Sequence, residues 1–446
     1  RLHKMRVLAV GGGAREHAIV RALSRSGAEV FVCMKNSNPG IARLAKEVAL
    51  VDETDVEKVV RFARAKSVEL AIVGPETPLE AGLVDGLEAA EIPTASPTKG
   101  AARIETSKSF MRNLMKKHGV RGSVKFAKAD TVRDVLTALD SFGTDIVVKP
   151  VGLTGGKGVK VFGEHLMTRQ DIITYADEII SRGIGGASIV IEEKLVGEEF
   201  TVQAFCDGKR VVPMPAVQDH KRAYEGDQGP NTGGMGSYSQ EDGLLPFLSR
   251  HDYDEAVSIM TDTVRALERE EADYRGPLYG QFMLTKDGPK VIEFNARFGD
   301  PEAMNVLSLL ESDFGAICQG IAAGDLSKKE VRFASKASVC KYVVPQGYGS
   351  KPLSGEEIRV DEKAIEAAGA ILYYANVNEK GGKVFTTTSR SVGVVGLAGS
   401  IEEAERIAED GVQHVTGKVF VRHDIGRKDF LDRKVARMNG IRGLSA

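Results

Sequence analysis

The chain has 446 residues, of which 42% are hydrophobic and 27% charged, values typical of a globular protein with ample apolar core. Sixty basic residues against 62 acidic ones leave a net charge of −2, which argues against bulk nucleic-acid binding. Its four scattered cysteines fit a reducing compartment and no apolar run could span a membrane, so we expect about three domains, in the cytoplasm, with no nucleic-acid or membrane partner.

The first part of the chain, residues 1–106, alternates predicted strands with predicted helices. A helix is predicted at 16–26, and strands at 7–10, 30–34 and 70–73. Thr77 as N-cap, with Pro78 at the first helical position, predicts a further helix start. Such alternation is typical of a parallel sheet with helices on both faces, so we expect an N-terminal parallel α/β domain.

Three glycines, residues 11–13, stand between the first strand and the first helix, where a dinucleotide-binding loop would lie. Glu16 occupies the place of a glycine that such loops require, and no acidic residue closes the second strand. The sequence therefore disfavours NAD binding. Two interpretations stay open: a phosphate site at a helix N-terminus with Arg15 as a cation, or a tight turn with solvated charges.

From about residue 107 the pattern changes to short strands and helices that end at glycines. We predict a small α+β lid, about 124–195, within a larger, mainly antiparallel domain that covers 107–330, and a mixed domain at 331–446. The predicted helices are 107–118, 131–142 and 401–415. The predicted strands are 124–127, 146–149, 159–162, 188–193, 200–206, 210–214 and 391–397.

Within the predicted lid, residues 148–159 form a glycine-rich segment between two strands. Val151 and Gly158 stand where a Walker A loop needs Gly and Ser or Thr, so it is not a P-loop. A strand–loop–strand unit of this kind can fold over phosphates, with backbone N–H groups and Lys157 as donors. A mobile hairpin without function is the alternative. Residues 191–199 could offer backbone groups to an adenine, or could be only a charged strand end.

The segment 290–302 carries the strongest single signal. Glu293 and Asn295 lie two residues apart on a predicted strand and so share one face. Folding the hairpin about the Asp-Gly turn at 287–288 places Gln281 opposite them. Three oxygen-bearing side chains in one place suit Mg²⁺, which binds few protein oxygens together with phosphates and water, and Arg297 beside them suits a transferring phosphate. A solvated face of an edge strand is the alternative.

Two further stretches, 218–222 and 229–236, are polar or glycine-rich without helical or strand periodicity, which is typical of functional loops or disorder. Taken in chain order, these motifs resemble those of the ATP-grasp ligases, and among them the phosphoribosylamine–glycine ligases of purine biosynthesis. The resemblance covers nearly the whole chain. It rests on residues 11–18, 74–76, 96–108, 148–159, 218–222, 229–236, 293–302 and 423–426.

The resemblance implies an ATP-grasp domain and the ligation of glycine to 5-phosphoribosylamine through glycyl phosphate, with ATP and Mg²⁺ or Mn²⁺. The catalytic residues would be Arg297, Asp300 and Lys157. The residues implied for ATP are Lys108, Lys149, Gly155, Gly156, Lys157, Glu192, Glu193, Leu195 and Glu199. Those for the other substrates are Gly13, Arg15, Glu16, Asp219, Lys221, Asn231, Gly233, Gly234 and Arg297. Metal would bind Glu293 and Asn295, with Gln281 added on the hairpin geometry alone.

The chain departs from the family pattern at Ala14, Val151 and Gln281, where many members have Gly, Asp and Gly. It has neither a GxSxG nor an HExxH motif, so positioning and charge neutralisation are expected rather than covalent catalysis. Two alternatives stay open: another ATP-grasp carboxylate–amine ligase, or a nucleotide-sensing module that does not turn ATP over. Release of ADP that depends on the substrates would separate these possibilities.

Overall fold

The computed structural model describes residues 2–444. The helices are α1 Ala14–Arg25, α2 Pro39–Leu44, α3 Val56–Ala65, α4 Glu76–Glu80, α5 Leu83–Ala89, α6 Arg103–Thr106, α7 Lys108–Lys117, α8 Val132–Phe142, α9 Arg169–Arg182, α10 Arg250–Arg269, α11 Glu302–Leu309, α12 Phe314–Ala323, α13 Glu362–Ala367, α14 Ile401–Val412 and α15 Lys428–Arg442. The strands are β1 Arg6–Val10, β2 Glu29–Met34, β3 Glu47–Leu50, β4 Leu70–Val73, β5 Phe126–Ala129, β6 Ile146–Pro150, β7 Lys160–Val161, β8 Ile189–Glu193, β9 Glu198–Asp207, β10 Val211–Pro213, β11 Gln218–Asp219, β12 Arg222–Tyr224, β13 Gln228–Asn231, β14 Gly236–Ser239, β15 Arg275–Thr285, β16 Gly288–Asn295, β17 Ala337–Pro345, β18 Glu357–Val360, β19 Ile371–Tyr374, β20 Val377–Lys380, β21 Lys383–Thr386, β22 Val392–Ala398, β23 Val415–Thr416 and β24 Val419–Val421.

The N-terminal sheet is parallel in the order β3-β2-β1-β4, which confirms the predicted α/β domain type. Its central strands are nearly all buried apolar residues, as expected for strands covered on both faces. The predicted start of one helix was wrong, because α4 begins at Glu76 after Pro75 as N-cap, rather than at Pro78 after Thr77. Pro78 is tolerated inside its first turn because the N–H groups there have no intrahelical partner.

The residues predicted to form the lid contain a four-stranded sheet of their own, in the order β5-β8-β6-β7. With α8 and α9 it encloses a separate cluster of buried apolar side chains, among them Val135, Ile146, Ile172 and Ile191. The first strand starts two residues later than predicted, because the ladder with β8 opens at Phe126. A small core of this kind makes the lid a compact unit beside the main one.

The central antiparallel sheet runs β10-β9-β15-β16 and contains the predicted metal-site hairpin. Gln281 pairs with Glu293 as predicted, but Asn295 lies opposite Tyr279 rather than Gln281; the turn is at 286–287, and a bulge after Gln281 shifts the register so that Gln281 meets Glu293. Helix α10 packs against these strands. The hairpin is therefore a packed support for the polar side chains of Gln281, Glu293 and Asn295.

A six-stranded sheet joins distant parts of the chain, because β11 and β14 continue into β17, β22 and β19, and β24 also pairs with β17. Gly236–Ser239 pairs with the C-terminal strand β17 through all four residues. Helix α14 ends three residues earlier than predicted, since Val415 pairs with Val360 instead. Within residues 2–444, none of the helices is both long and apolar enough to cross a membrane.

Candidate active site

The polar residues predicted for the site gather at the carboxyl end of β16 and in the loop that follows it. Glu293 and Asn295 lie on the strand, and Arg297 and Asp300 lie in the loop before α11. The loop is fixed at its start because Ala296 N donates to a Glu105 carboxylate oxygen at 2.8 Å. The structure thus brings together residues that the sequence analysis had assigned to metal and to catalysis.

Arg297 is held between two carboxylates. Its Nε lies 3.2 Å from Glu76 Oε2, and its Nη2 lies 3.1 Å from Glu105 Oε2. Burial opposes ionisation of Glu76, but Arg297 and Arg15 outweigh it and lower the pKa to about 2. Burial raises the pKa of Glu105 to about 7 despite Arg297. The Arg297 guanidinium is therefore fixed in direction and always charged.

Neither carboxylate was assigned a role from the sequence. Glu76 stood in a motif that carried the family resemblance, so a signal for it existed. Glu105 also lies in such a motif, within residues 96–108, but nothing local linked it to Arg297, because it lies in the short helix α6 and meets Arg297 only through a contact across almost two hundred residues. Contacts of such range leave no local pattern in a single sequence.

The predicted metal residues form a compact group with spare oxygen atoms. Gln281 Nε2 donates to Glu199 Oε2 at 2.7 Å, while Gln281 Oε1 is buried without a hydrogen-bond partner. The Asn295 amide, in the orientation that satisfies its contacts, donates to Glu105 Oε2 at 3.2 Å. A buried carbonyl oxygen without a donor, opposite the Glu293 carboxylate, suits a hard cation.

Four cations surround the Glu293 carboxylate. Burial opposes its ionisation, but the nearby positive charges prevail and lower its pKa; they belong to Lys221, Lys149, Lys108 and Arg297. Within residues 2–444, no three His, Cys, Asp or Glu side chains form a metal cluster. A cation here would therefore need amide oxygens and phosphate oxygens as well, and the lysines and arginine that face Glu293 could also contact those phosphate oxygens.

The glycine-rich segment does connect two paired strands, β6 and β7, as predicted. Gly155 and Gly156 have φ of +62° and +76°, and a Cβ at either position would meet no atom within 4 Å. Lys157 beside them is exposed. At the base of this loop, Lys108 Nζ donates to Gly152 O at 2.9 Å. The loop is thus an open arch whose tip is free to approach a ligand; we call residues 151–159 the flap.

Glu192 is buried between two cations. Its carboxylate lies 2.6 Å from both Lys149 Nζ and Arg112 Nε, and Arg112 also donates to the carbonyls of Val291 and Ile292. Burial opposes ionisation, but Arg112 and Lys149 outweigh it and lower the pKa of Glu192 to about 2. Its side chain therefore joins β8 of the lid to α7 and β16.

The residues that follow Glu192 lead out of the buried ion pair toward the surface. Glu193 is exposed, Leu195 is half-buried, and Glu199 lies at the start of β9 within 4.0 Å of Lys221 Nζ. Burial is the main cause that raises the pKa of Glu199. A half-buried strand end with a carboxylate a few residues on matches the arrangement expected for a nucleoside.

The N-terminal glycine loop is organised by Glu16. Its Oε1 accepts from Gly13 N at 2.8 Å, and its Oε2 lies 2.5 Å from Arg15 Nε. A Cβ on Gly11 or Gly74 would lie within 2.4 Å of the Glu16 side chain, so both positions need glycine. The helix cap thus explains why Glu16 stands where a dinucleotide loop would have glycine.

Arg15 connects this loop to the loop after β16. Its Nη1 donates to Phe298 O at 3.2 Å, next to Arg297. Asp300 Oδ2 lies 3.8 Å from the position that a Gly13 Cβ would take. The N-terminal loop and the predicted catalytic residues therefore share one cleft.

The C-terminal part of the chain closes this cleft with two residues that the sequence analysis missed. Arg390 Nη2 lies 3.2 Å from Asp300 Oδ2, and the Tyr342 hydroxyl donates to Asp300 Oδ1. Arg390 Nη1 also donates to the carbonyls of Gly233 and Gly234, at 2.8 and 3.1 Å. Nothing in the sequence joined Arg390 to Asp300, since their contact depends on the six-stranded sheet.

The polar loop residues lie around the same cleft, with one exception. Asp219 and Glu199 raise the pKa of Lys221 although burial opposes this, so Lys221 stays charged. Asn231 instead lies exposed on β13, paired with Arg222. The structure therefore brings Asp219 and Lys221 toward Glu293 and leaves the Asn231 side chain at the surface.

Comparisons with known proteins agree along the whole chain. Three family models of phosphoribosylglycinamide synthetase match: the N domain at residues 5–105, the ATP-grasp (A) domain at 106–303 and the C domain at 338–428. A phosphoribosylamine–glycine ligase of Methanothermobacter thermautotrophicus is 53% identical over 98% of this chain and 100% of its own. A phosphoribosylamine–glycine ligase from Methanocaldococcus jannaschii is 50% identical over 98% of this chain and 100% of its own.

Solved structures give the same result for the fold. The crystal structure of phosphoribosylamine–glycine ligase from Thermotoga maritima matches with a TM-score of 0.81 and 29% identity, over 94% of this chain and 100% of its own. The biotin carboxylase domain of 2-oxoglutarate carboxylase from Hydrogenobacter thermophilus matches with a TM-score of 0.75 and 16% identity, over 100% of each chain, and shares the fold alone. The chain belongs to the phosphoribosylglycinamide synthetase family.

Proposed function

We propose that this protein joins glycine to 5-phosphoribosylamine, consuming ATP and releasing glycinamide ribonucleotide, ADP and phosphate. One observation carries the proposal: the Glu293 carboxylate, whose pKa nearby cations lower, lies opposite the buried, unpartnered Gln281 Oε1, in the cleft that Arg15 and Arg390 join to the N-terminal loop and the C-terminal sheet. Such a site suits a polyphosphate and a second, anionic substrate. The relatives named phosphoribosylamine–glycine ligase support the choice of substrates.

ATP would lie between the lid and β16. The flap glycines would bring backbone N–H groups to its phosphates, with Lys157, Lys108 and Lys149 adding charge. The strand end from Glu192 to Leu195 would receive the adenine, and Glu199 would accept from the ribose hydroxyls. Because Glu192 is held in ion pairs, its contribution would come through its backbone, and Glu193 would stay toward solvent.

A divalent cation, Mg²⁺ or Mn²⁺, fits the oxygen atoms at this point. Glu293 and Asn295 would hold it, and the buried Gln281 Oε1, which has no donor, supports a third protein ligand. When bound, the cation neutralises phosphate oxygens and so lowers the cost of charge that develops during phosphoryl transfer. The protein's own cations near Glu293 would add positive charge to the same oxygens.

Amide formation from a carboxylate is slow because the leaving group is poor. Phosphorylation of the glycine carboxylate by the γ-phosphoryl group of ATP makes a mixed anhydride. The phosphoribosylamine nitrogen then attacks the carbonyl carbon, the bond to phosphate breaks, and the nitrogen loses a proton. Arg297, fixed by Glu76 and Glu105, would hold the transferring group, while Asp300 would face the glycine.

The amine substrate would enter on the side of the N-terminal loop. Gly13, Arg15 and Glu16 would contact it from the N-terminal loop, and Asp219 and Lys221, whose charges interact, would contact it from β11 and the residues that follow. The backbone of Gly233 and Gly234, held by Arg390, would close the end of the cleft. Closure of the flap over ATP would keep water from the anhydride.

Isotope labelling tests the proposed reaction. Glycine labelled with oxygen-18 in its carboxylate should pass one labelled oxygen to inorganic phosphate in each turnover, and ADP should be released only when both substrates are present. Mass spectrometry of the products reads the result. Labelled AMP with pyrophosphate, or unlabelled phosphate, would contradict the acyl phosphate. ADP release with bicarbonate or another amine, but not with phosphoribosylamine, would point to a different ATP-grasp ligase.

A further inference from the structure

A short hairpin sets the place of the candidate substrate residues Asp219 and Lys221. Strands β12 and β13 form it, inserted between β11 and β14. The Lys221 carbonyl accepts from Thr232 N at 2.7 Å and from Thr232 Oγ1 at 2.8 Å, and His220 O accepts from Met235 N at 2.7 Å. Because these bonds join Lys221 to the end of the β12–β13 hairpin, movement of that hairpin would move Lys221.

A buried arginine from the C-terminal part of the chain binds the turn of the β12–β13 hairpin. Arg422, only 1% exposed, follows β24. Its Nη1 donates to Asp227 Oδ1 at 2.8 Å and to Arg222 O at 3.2 Å. Its other edge donates to both oxygens of Asp424, at 2.9 and 2.7 Å. The planar guanidinium of Arg422 thus connects the start of β12 and the turn of the hairpin to a second carboxylate, that of Asp424.

Asp424 also binds this turn, through a backbone N–H group. Its Oδ2 accepts from Gly226 N at 2.9 Å. Burial opposes its ionisation, but Arg422 and the Gly226 N–H group outweigh it and lower the pKa of Asp424. The turn itself has left-handed backbone, with φ of +72° at Gly226 and +56° at Asp227. An aspartate in that conformation needs surrounding contacts to hold it.

The residue between Asp219 and Lys221 is held by the same C-terminal segment. His220 is buried, its Nδ1 lies 3.4 Å from Asp227 Oδ1, and its ring centroid lies 5.5 Å from that of Phe430 in α15. Burial lowers its pKa, so the ring is neutral near pH 7. Both the turn and the base of the hairpin therefore depend on residues after 421.

We infer that Arg422 and Asp424 are positioning residues for the amine-substrate site, acting through the hairpin on Lys221 and Asp219. The inference deepens the proposed function and rests on it. Neither residue lies among the groups assigned to the reactants. Their loss would free the turn and let Lys221 drift from Glu293, and displacements of about 1 Å cost roughly 100-fold in rate at such sites.

A matched pair of arginines tests this role. Arg442, in the same C-terminal segment, also holds a carboxylate with two nitrogens, since both oxygens of Asp252 lie 2.9 Å away; its other contact, from Nε to Thr285 O at 3.5 Å, is at the last residue of β15 and not in the β12–β13 hairpin. Arg422→Met should lower kcat/KM for phosphoribosylamine by about 10- to 100-fold, and Arg422→Lys should recover part of it. Arg442→Met should lower the Tm yet leave kinetics within about twofold.

A double-mutant cycle shows whether the effect passes through Lys221. If it does, Arg422→Met adds little to the loss already caused by Lys221→Met, whereas independent effects would multiply. Multiplying effects, or an Arg422→Met enzyme that is no slower than Arg442→Met, would overturn the inference. If Arg422→Met does not fold, Asp424→Asn, which frees the turn but keeps the shape, serves in its place. A wild-type enzyme inactive with glycine and phosphoribosylamine would instead contradict the proposed function.

Discussion

The lid and the hairpin β15–β16 face each other across the cleft but are built in opposite ways. On the hairpin side the polar groups are buried and fixed, as Arg297 is between Glu76 and Glu105. On the lid side Gly155 and Gly156 lie in open space above a small, separate core. Charge is thus preorganised on one wall, where it must not move during reaction, and the adaptable backbone is on the other.

The lid and the β15–β16 hairpin meet at one buried cluster of ion pairs. Glu192 of the lid strand β8 lies between Lys149 and Arg112, and Arg112 donates to two carbonyls of β16. The lid is therefore attached at its base and open at its flap. We call the β15–β16 side of the cleft the fixed wall and this ion cluster the joint. Variants of the fixed wall should lose turnover, variants of the joint should lose stability, and variants of the flap should bind ATP more weakly.

The largest effect is expected in the fixed wall. Glu293→Gln should lower kcat by about 1,000-fold or more, because the carboxylate supports both the metal and the surrounding cations. The fold should persist, which circular dichroism and the Tm would check. Asp287→Asn, at the exposed turn of the same hairpin, is the control and should be nearly neutral. Wild-type turnover in pure Glu293→Gln would remove the metal assignment.

A smaller effect, on stability, is expected at the joint. Glu192→Gln leaves Arg112 and Lys149 buried without their partner, which should lower the free energy of unfolding by about 3–5 kcal/mol. Glu178→Gln, which breaks an exposed ion pair with Arg182 in the same lid, should cost under about 0.5 kcal/mol. Thermal unfolding of the two variants at pH 7 measures the contrast.

The same joint should also give the protein part of its acid sensitivity. The pKa of Glu192 falls from 4.5 to about 2 on folding, so the native state binds its proton less tightly than the unfolded chain. The stabilisation is complete above pH 4.5 and is lost as the pH falls toward 2. Glu192→Gln should flatten that part of the profile. An unchanged slope would mean that other carboxyl groups carry the acid response.

The smallest effect is expected in the flap. Gly156→Val should raise the KM for ATP about tenfold, because a side chain hinders the approach of the backbone to phosphate. Gly183→Val is the control: it lies in the same lid with positive φ and the same empty surroundings, but outside the flap. Both should lose a similar 1–3 kcal/mol or so to backbone strain. Equal KM values for the two variants would make the flap only structural.

The sequence predicted the parts of the site that are local in the chain. Strand periodicity puts Glu293 and Asn295 on one face, but Gln281 lies opposite Glu293 only because of the bulge that follows it, and Asn295 lies opposite Tyr279. The start of α4 was misplaced because Thr77 offers a good N-cap signal, yet the loop before Glu76 ends earlier. Local propensity competes there with the packing of the loop, and packing decides.

Residues that act through distant contacts could not be predicted. Arg390 and Tyr342 reach Asp300 only because β22 and β17 share a sheet with β14. Glu105 and Arg112 look like ordinary charged helix residues, and only their burial reveals their ion pairs. The metal, ATP and substrate roles of the individual residues stay predictions.

The pairing of β14 with β17 has a consequence for how the chain is made. Nearly a hundred residues separate the two strands, so this edge of β14 stays unpaired until β17, in the C-terminal quarter of the chain, has been synthesised. A fragment ending near residue 330 would keep that edge exposed and should aggregate, which its yield in the soluble fraction would reveal. Addition of the missing C-terminal part in trans should rescue it. Synthesis itself therefore delays completion of the cleft until Tyr342 and Arg390 are present.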